Sequence, residues 1–183
     1  MGEGQKVFCN VIGHGPKLES LQQLSKELGI EDQIHFAGGV DYDRVFDFYD
    51  QSHVLVLASE TEGWPKAIAE AMACGLVCIG SNRGLVPWML GENRGFTVTP
   101  RSVDELTDAI RRVATSAQLR DETSRQAAEF GQRYSLDTLR QAIAELLSER
   151  WHVDIHDHRR DAALERTTEG TSSAATAEKV SAP

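Results

Sequence analysis

The chain lacks three features that would each assign it to a particular class of protein. No apolar run approaches the roughly 18 residues of a membrane-spanning helix. Lysine and arginine number 19 against 28 acidic residues, and they form no basic stripe of the kind that binds nucleic acid. The first residues have no apolar signal-peptide core. We therefore expect a cytoplasmic protein with no membrane span and no nucleic-acid partner.

Cysteine is also scarce, and its spacing argues against a metal site. The chain has three cysteines, Cys9, Cys74 and Cys78, which lie within or beside apolar segments. Cys74 and Cys78 lack the C-x-x-C spacing of zinc ligands, and no matching pair exists. We interpret all three as buried free thiols of a reducing compartment and expect no bound metal.

What the chain does contain is a regular alternation of strand-like and helix-like segments. Hydrophobic residues make up 40% of the chain, enough for one packed domain. Strands are predicted at 6–12, 33–37, 54–58, 76–79 and 95–98, and helices at 17–28, 42–51, 65–74, 103–115, 117–131 and 136–150. This order predicts an α/β fold with a doubly wound, mostly parallel, Rossmann-like sheet followed by C-terminal helices.

The composition changes near the C-terminus. Residues 165–183 are rich in Ser, Thr, Ala and Glu and offer little to bury. We therefore predict a folded domain at 1–151 and a disordered tail at 152–183.

The segment Glu62–Gly75 carries the clearest chemical signal. It follows a predicted strand, at the sheet edge where parallel sheets bind ligands. Pro65 can open the following helix, whose free backbone amides and positive dipole end suit a phosphate. Glu62 lies in the loop before the helix and Glu70 lies in its second turn. Amides for phosphate and carboxylates for hydroxyls together favour a sugar nucleotide as the ligand.

Two glutamates separated by seven residues in this segment resemble the signature of retaining group 1 (family 4) glycosyltransferases, which have the two-domain GT-B fold. Four further segments resemble those of the family in order and spacing: Val11–Pro16, Ile34–Val40, Val77–Gly84 and Gly95–Val98. The resemblance covers roughly residues 6–150. It implies that the chain is the C-terminal, nucleotide-sugar-binding half of such an enzyme, with a UDP- or GDP-sugar as donor and no metal.

The resemblance also implies roles for individual residues. Glu62 matches the family's catalytic Glu, which faces the donor sugar, and Glu70 matches the Glu that holds both ribose hydroxyls. Val40 would help to seat the base, and the turn at Gly13 and Gly15 would let the donor approach the backbone. The remaining expected substrate-binding residues are Gly63, Trp64, Pro65 and Lys66.

Simpler interpretations of the charged residues stay open. Glu62 could be a loop carboxylate stabilised by the helix dipole. Lys66 and Glu70 are four residues apart and could form a plain surface ion pair, although Lys before Glu is the weaker order. For Lys66, phosphate contact and ion pair are equally compatible with the sequence.

The family has further parts that these 183 residues do not contain. Its nucleotide-binding half begins with a strand and a loop whose basic pair grips the diphosphate, and an acceptor-binding lobe precedes it. Without that strand, the strands at 6–12 and 54–58 must either pair directly or leave a gap. A gap predicts marginal stability and association through the exposed edges. Catalysis should need the missing N-terminal lobe, or another chain that supplies it.

Two other functions are compatible with the sequence. One is a non-catalytic nucleotide-sugar-binding or interaction domain, or a truncated product, which the missing lobe favours. The other is a sugar-nucleotide epimerase of the same two-lobed architecture. The residues of Glu62–Gly75 favour the transferase over the epimerase.

Overall fold

The structure is a computed structural model that describes residues 6–152, apart from the side chain of Leu136. The described residues form two compact units, one ending at Ser135 and the other beginning at Leu136. The tail predicted at 152–183 lies outside the described residues except for His152. No helix in the described part of the chain combines the length and the apolar character needed to cross a membrane.

Five short parallel strands form two sheets rather than one. They are β1 (Cys9–Ile12), β2 (Ile34–Gly38), β3 (Val54–Leu57), β4 (Val77–Ser81) and β5 (Gly95–Val98). β1 pairs with β2 in one sheet, and the other sheet has the order β3-β4-β5. Of the two arrangements expected for β1 and β3, the structure has the gap, since no described strand joins them. The predicted parallel α/β fold is confirmed.

Seven α-helices lie within residues 6–152. They are α1 (Leu18–Glu27), α2 (Tyr42–Asp50), α3 (Lys66–Ala73), α4 (Val86–Leu90), α5 (Val103–Thr115), α6 (Ala117–Gly131) and α7 (Leu136–Trp151). All six predicted helices are present, with ends within about one residue of those expected. Two single-turn 3₁₀ helices, Glu31–Gln33 and Gln132–Tyr134, were not predicted.

The helix α4 was also missed by the sequence analysis. Its five residues are too few to show a helical period, and Pro87 lies in its first turn. Burial fixes the helix instead, because Val86, Met89 and Leu90 are each at most 2% exposed. A Cβ on Gly80 would lie 2.6 Å from Cγ1 of Val86, so α4 packs directly on β4.

β4 is the centre of the larger sheet, and all five of its residues are buried. One core cluster on the sheet contains Cys78 and side chains of α2, α3, α4 and α6. A second cluster joins Ile79 to Val98 and to Ala109 of α5. Burying each large apolar side chain contributes about 1.5–3 kcal/mol, so these two layers hold the sheet between its helices.

Aromatic side chains of α2 link the smaller sheet to this core. The ring of Tyr42 packs edge-on to Phe46, and Phe46 packs edge-on to Tyr49, with centroid distances of 5.6 and 5.7 Å. Tyr49 is 5% exposed and belongs to the first core cluster. Burial, with a smaller contribution from the Glu70 carboxylate, raises the pKa of Tyr49 to about 12.

The interior of α3 is held closely by α6. A Cβ on Gly131, the last residue of α6, would lie 2.5 Å from the backbone nitrogen of Ala73. Earlier in α6, the Ser124 hydroxyl donates to the carbonyl oxygen of Gly75 at 2.5 Å. The two helices therefore approach at backbone distance where α3 ends.

The strands that border the gap leave large apolar side chains in solvent. Phe8, just before β1, is 71% exposed, while Ile12 and Val56 are 39% and 42% exposed. β1 begins only at Cys9, where its pairing with Ile34 of β2 begins, and not at the predicted residue 6.

The prediction that all three cysteines are buried is wrong for two of them. Cys78 lies inside β4, and burial raises the pKa of its thiol above the usual range. Cys9 is exposed because it lies on β1, a strand that little covers: three of its four residues are exposed. Cys74 caps the C-terminus of α3 and faces solvent there. All three thiols are free.

Hydrogen exchange should distinguish β4 from the strands at the gap. β4 pairs on both sides and is buried, so its amides should exchange only through large openings. The amides of β1 and β3 that point into the gap should exchange orders of magnitude faster. Residue-resolved NMR exchange on dilute protein would test this. Equal protection of the three strands at every concentration would contradict an open gap, whereas protection that rises with concentration would indicate association through it.

Candidate functional site

The turn after β1 and the loop after β2 lie against each other. Gly13 has a φ of +122°, and its amide donates to the carbonyl oxygen of Gly38 at 2.6 Å. The His14 ring covers Gly39, where a Cβ would lie 2.6 Å from Nδ1. A Cβ on Gly13 or Gly15 would meet nothing within 4 Å, so the backbone of the turn is open to a ligand. The same loop continues to Val40, which is half-buried.

The loop after β3 is held by the loop after β4. A Cβ on Gly84 would lie 1.8 Å from the backbone oxygen of Glu62, and Gly84 has a φ of +55°. The amide of Leu85 also donates to the Gly63 carbonyl oxygen at 3.4 Å. Only glycine satisfies both the close approach and the left-handed backbone at position 84. The half-buried Glu62 is thereby fixed through its own backbone.

The helix α3 begins one residue later than Pro65, which is buried and occupies the N-cap. The Pro65 carbonyl oxygen accepts from the amides of Ile68 and Ala69 at 3.0 and 3.2 Å. The amides of Lys66 and Ala67 have no carbonyl one helical turn earlier to which they could donate. Together with the positive end of the helix dipole, they offer two donors to an anion.

One oxygen of the Glu70 carboxylate accepts a hydrogen bond and also forms an ion pair. The Tyr42 hydroxyl lies 2.7 Å from Oε1, and Nζ of Lys66 lies 3.2 Å from it. Nζ of Lys66 also lies 4.0 Å from the centre of the Tyr42 ring. The hydrogen bond to Glu70 is the main cause that raises the pKa of Lys66. The structure thus contains the i, i+4 ion pair that the sequence left open.

The side chain of Trp64 belongs to a surface cluster of aromatic rings. It is 47% exposed and packs on Tyr134 with a centroid distance of 5.7 Å. Tyr134 in turn contacts Trp88 and Phe130 at 5.8 and 4.9 Å. Trp88 is half-exposed.

The structure brings the predicted residues together in three groups. Gly13 meets the loop that leads to Val40; Glu62 and Gly63 meet the loop at 84–85; and Glu70 meets Lys66. All three groups follow the carboxyl ends of strands β1 to β3. Within residues 6–152, no group of three or more His, Cys, Asp or Glu side chains could hold a metal ion.

Tyr42 is a site residue that the sequence analysis missed. It lies two residues after Val40 and 28 residues before Glu70, the residue that it contacts. Its proximity to Val40 was a signal that α2 starts at the ligand edge. Nothing local in the sequence pairs it with Glu70, because that contact depends on how α2 packs.

Comparison with known proteins identifies the family. The model of the family described as "Glycosyl transferases group 1" matches residues 2–130 of the 183. The chain therefore belongs to the group 1 glycosyltransferases. A D-inositol 3-phosphate glycosyltransferase from Streptomyces griseus is 29% identical over 164 residues, which cover 86% of this chain and 34% of the relative. The chain thus spans about a third of the length of that relative.

Solved structures agree with the predicted fold. HepE from Anabaena, solved in complex with UDP, is 24% identical with a TM-score of 0.71, over 80% of this chain and 42% of HepE. The C-terminal domain of a group 1 family protein, LpcC, from Francisella tularensis is 19% identical with a TM-score of 0.63, over 72% of this chain and 86% of that domain. The prediction of the C-terminal half of a GT-B glycosyltransferase is confirmed.

Substitution of Gly84 should destabilise the protein through the Glu62 loop. Gly84→Ala adds a Cβ 1.8 Å from a backbone oxygen, so the loop must move in addition to accepting the left-handed backbone. We expect a loss of unfolding free energy beyond the roughly 1–3 kcal/mol of backbone strain alone, measured by urea denaturation.

Gly29→Ala is the matched control. Gly29 has a φ of +65°, but a Cβ there would meet nothing within 4 Å, so this variant carries the strain without the clash. Equal losses in the two variants would show that Gly84 does not support the Glu62 loop.

Proposed function

We propose that this chain is the donor-binding half of a retaining glycosyltransferase that transfers a sugar from a UDP- or GDP-sugar to an acceptor. The observation that carries the proposal is on α3. Within its first turn and a half, the helix presents two amides without intrahelical acceptors and a carboxylate held by Tyr42 and Lys66. Amides suit a diphosphate and the carboxylate suits ribose hydroxyls, so the two kinds of group together suit a nucleoside diphosphate.

Each predicted residue has a place in this proposal. Glu70 accepts from the ribose hydroxyls, while the open turn at Gly13 and the loop at Val40 lie toward the base and phosphates. Glu62, in the loop before α3, faces the donor sugar. Trp64 and Pro65 shape the same loop, and Pro65 is buried as its anchor. Catalysis in this scheme comes mainly from positioning and from stabilising the departing diphosphate.

Lys66 changes partner in the proposed complex. Its ammonium group pairs with Glu70 at 3.2 Å, yet it sits in the first turn of α3, where the helix dipole disfavours a cation. A diphosphate bound at the helix N-terminus would attract the Lys66 ammonium group and so outweigh its repulsion by the helix dipole. We propose that Lys66 turns to the phosphate and that no resident metal is needed there.

The proposal has two further parts. The N-terminal lobe, or a chain that supplies it, would bring the acceptor to the donor sugar. A cytoplasmic location fits the three free thiols, which are typical of a reducing compartment.

The chain by itself should transfer no sugar. Bringing acceptor and donor into register supplies a large part of the barrier reduction, and these residues resemble only the donor-binding half. The test is incubation of the pure chain with labelled UDP- and GDP-sugars and a broad pool of acceptors. Steady formation of glycoside by the pure chain would show that the half needs no partner.

Replacing Glu70 should weaken nucleoside diphosphate binding more than replacing Glu62. Glu70→Ala removes the proposed ribose acceptor, which should cost roughly 1.5–3 kcal/mol, whereas a free diphosphate lacks the sugar that Glu62 would face. Calorimetric titration with UDP and GDP would measure both variants. Glu19→Ala, on the exposed face of α1, is the control for loss of one surface charge. Wild-type affinity in Glu70→Ala would overturn the ribose assignment.

A further inference from the structure

We propose that Tyr42 is a positioning residue of the nucleotide site, which fixes one oxygen of Glu70 so that the other oxygen faces the ribose. This inference rests on the proposed function. It assigns a role to a residue outside the Glu62–Gly75 segment. Tyr42 lies on α2, the helix that connects β2 to β3.

The geometry at Glu70 supports separate roles for the two oxygens of the carboxylate. Oε1 receives both the Tyr42 hydroxyl at 2.7 Å and the Lys66 ammonium at 3.2 Å. A carboxylate has about four acceptor positions, two on each oxygen, and both of these groups lie against Oε1. Oε2 keeps its two positions for the adjacent 2′- and 3′-hydroxyls of a ribose. The Glu70 side chain is only 16% exposed, which restricts the direction from which a ligand can approach.

The ring of Tyr42, although half-exposed, contacts two neighbouring side chains. It is the first residue of α2, and its ring packs edge-on to Phe46 at an interplanar angle of 86°. Nζ of Lys66 lies 4.0 Å from the ring centre. The hydroxyl therefore reaches Glu70 from a ring whose orientation is set by neighbours on two helices. A tyrosine that merely covered the surface would need no such support.

Tyr42 and Lys66 differ in what happens when a diphosphate binds. In the proposed function Lys66 leaves Glu70 for the phosphate, so the carboxylate loses one of its two donors. The Tyr42 hydroxyl, fixed on α2, stays. It then becomes the remaining group that stops the carboxylate from turning away from the ribose. Tyr42 should consequently matter for recognition of ribose hydroxyls and not for recognition of phosphate.

The variant Tyr42→Phe tests this inference because it keeps the ring, the packing on Phe46 and the contact with Lys66. The Kd values of UDP and GDP and of their 2′-deoxy counterparts would be measured by calorimetry for wild type and variant. We expect Tyr42→Phe to weaken binding of the ribonucleotides about two- to tenfold, the effect of one hydrogen bond. Binding of the deoxynucleotides should change less, so the ribose-to-deoxyribose preference should shrink.

Tyr134→Phe is the matched control, since it also removes one tyrosine hydroxyl from a half-exposed ring while keeping the packing of that ring on Trp64. It should leave the ribose preference unchanged. In a Glu70→Ala background, Tyr42→Phe should have no further effect, because the two changes act on one interaction.

The outcomes separate this inference from the proposed function. If wild type binds none of the diphosphates, or binds ribo- and deoxynucleotides equally, the proposed function fails and the role of Tyr42 fails with it. If wild type prefers ribose and Tyr42→Phe keeps the same preference, only the role of Tyr42 is overturned. Parallel weakening of all four nucleotides would also overturn it, since that result indicates a structural role.

Discussion

The environment of Glu70 depends on the aromatic face of α2. Tyr42, Phe46 and Tyr49 are spaced by four and three residues, so they share one face of the helix. Tyr49 anchors that face in the core of the larger sheet, while the chain just before Tyr42 comes from β2 of the smaller sheet. Each edge-to-face ring pair adds about 0.5–1.5 kcal/mol beyond its buried area. These contacts set where the Val40 loop lies relative to Glu70.

Most of the fold could be predicted because its signals are local. Each long helix carries its own amphipathic period, and β4 is a continuous apolar run, so both were placed within a residue or two. The predictions that failed concern features that are set by contacts between distant segments of the chain. The helix α4 exists because Val86 and Met89 are buried, and β1 is short because its pairing with β2 begins at Cys9. Cys74 is exposed because the C-terminal end of α3 turns it toward solvent. The apolar residues beside it in the sequence do not show which way that helix end faces.

The candidate site was predictable to the same extent as the fold, since its local motifs were found and its long-range contacts were not. Glu62, Glu70 and the glycine turns stand in motifs whose residues and spacing are visible in the sequence, and the structure places them after the expected strands. The hydrogen bond from Tyr42 could not be foreseen, because it joins residues 28 positions apart through the packing of α2. The fit of Gly84 against Glu62 was hidden for the same reason, since it joins two loops that follow different strands.

The close approach of Gly131 to the end of α3 has a consequence for ligand recognition. The eight residues of α3 span about 12 Å, and the helix is wedged between the larger sheet and the backbone of α6. It has no room to slide toward or away from a ligand at its N-terminus. Under the proposed function, a diphosphate would meet a preorganised helix end, so the entropy lost on binding would fall mainly on exposed side chains such as Lys66. The helix would then act as a fixed reference, and adaptation to different ligands would be left to those side chains.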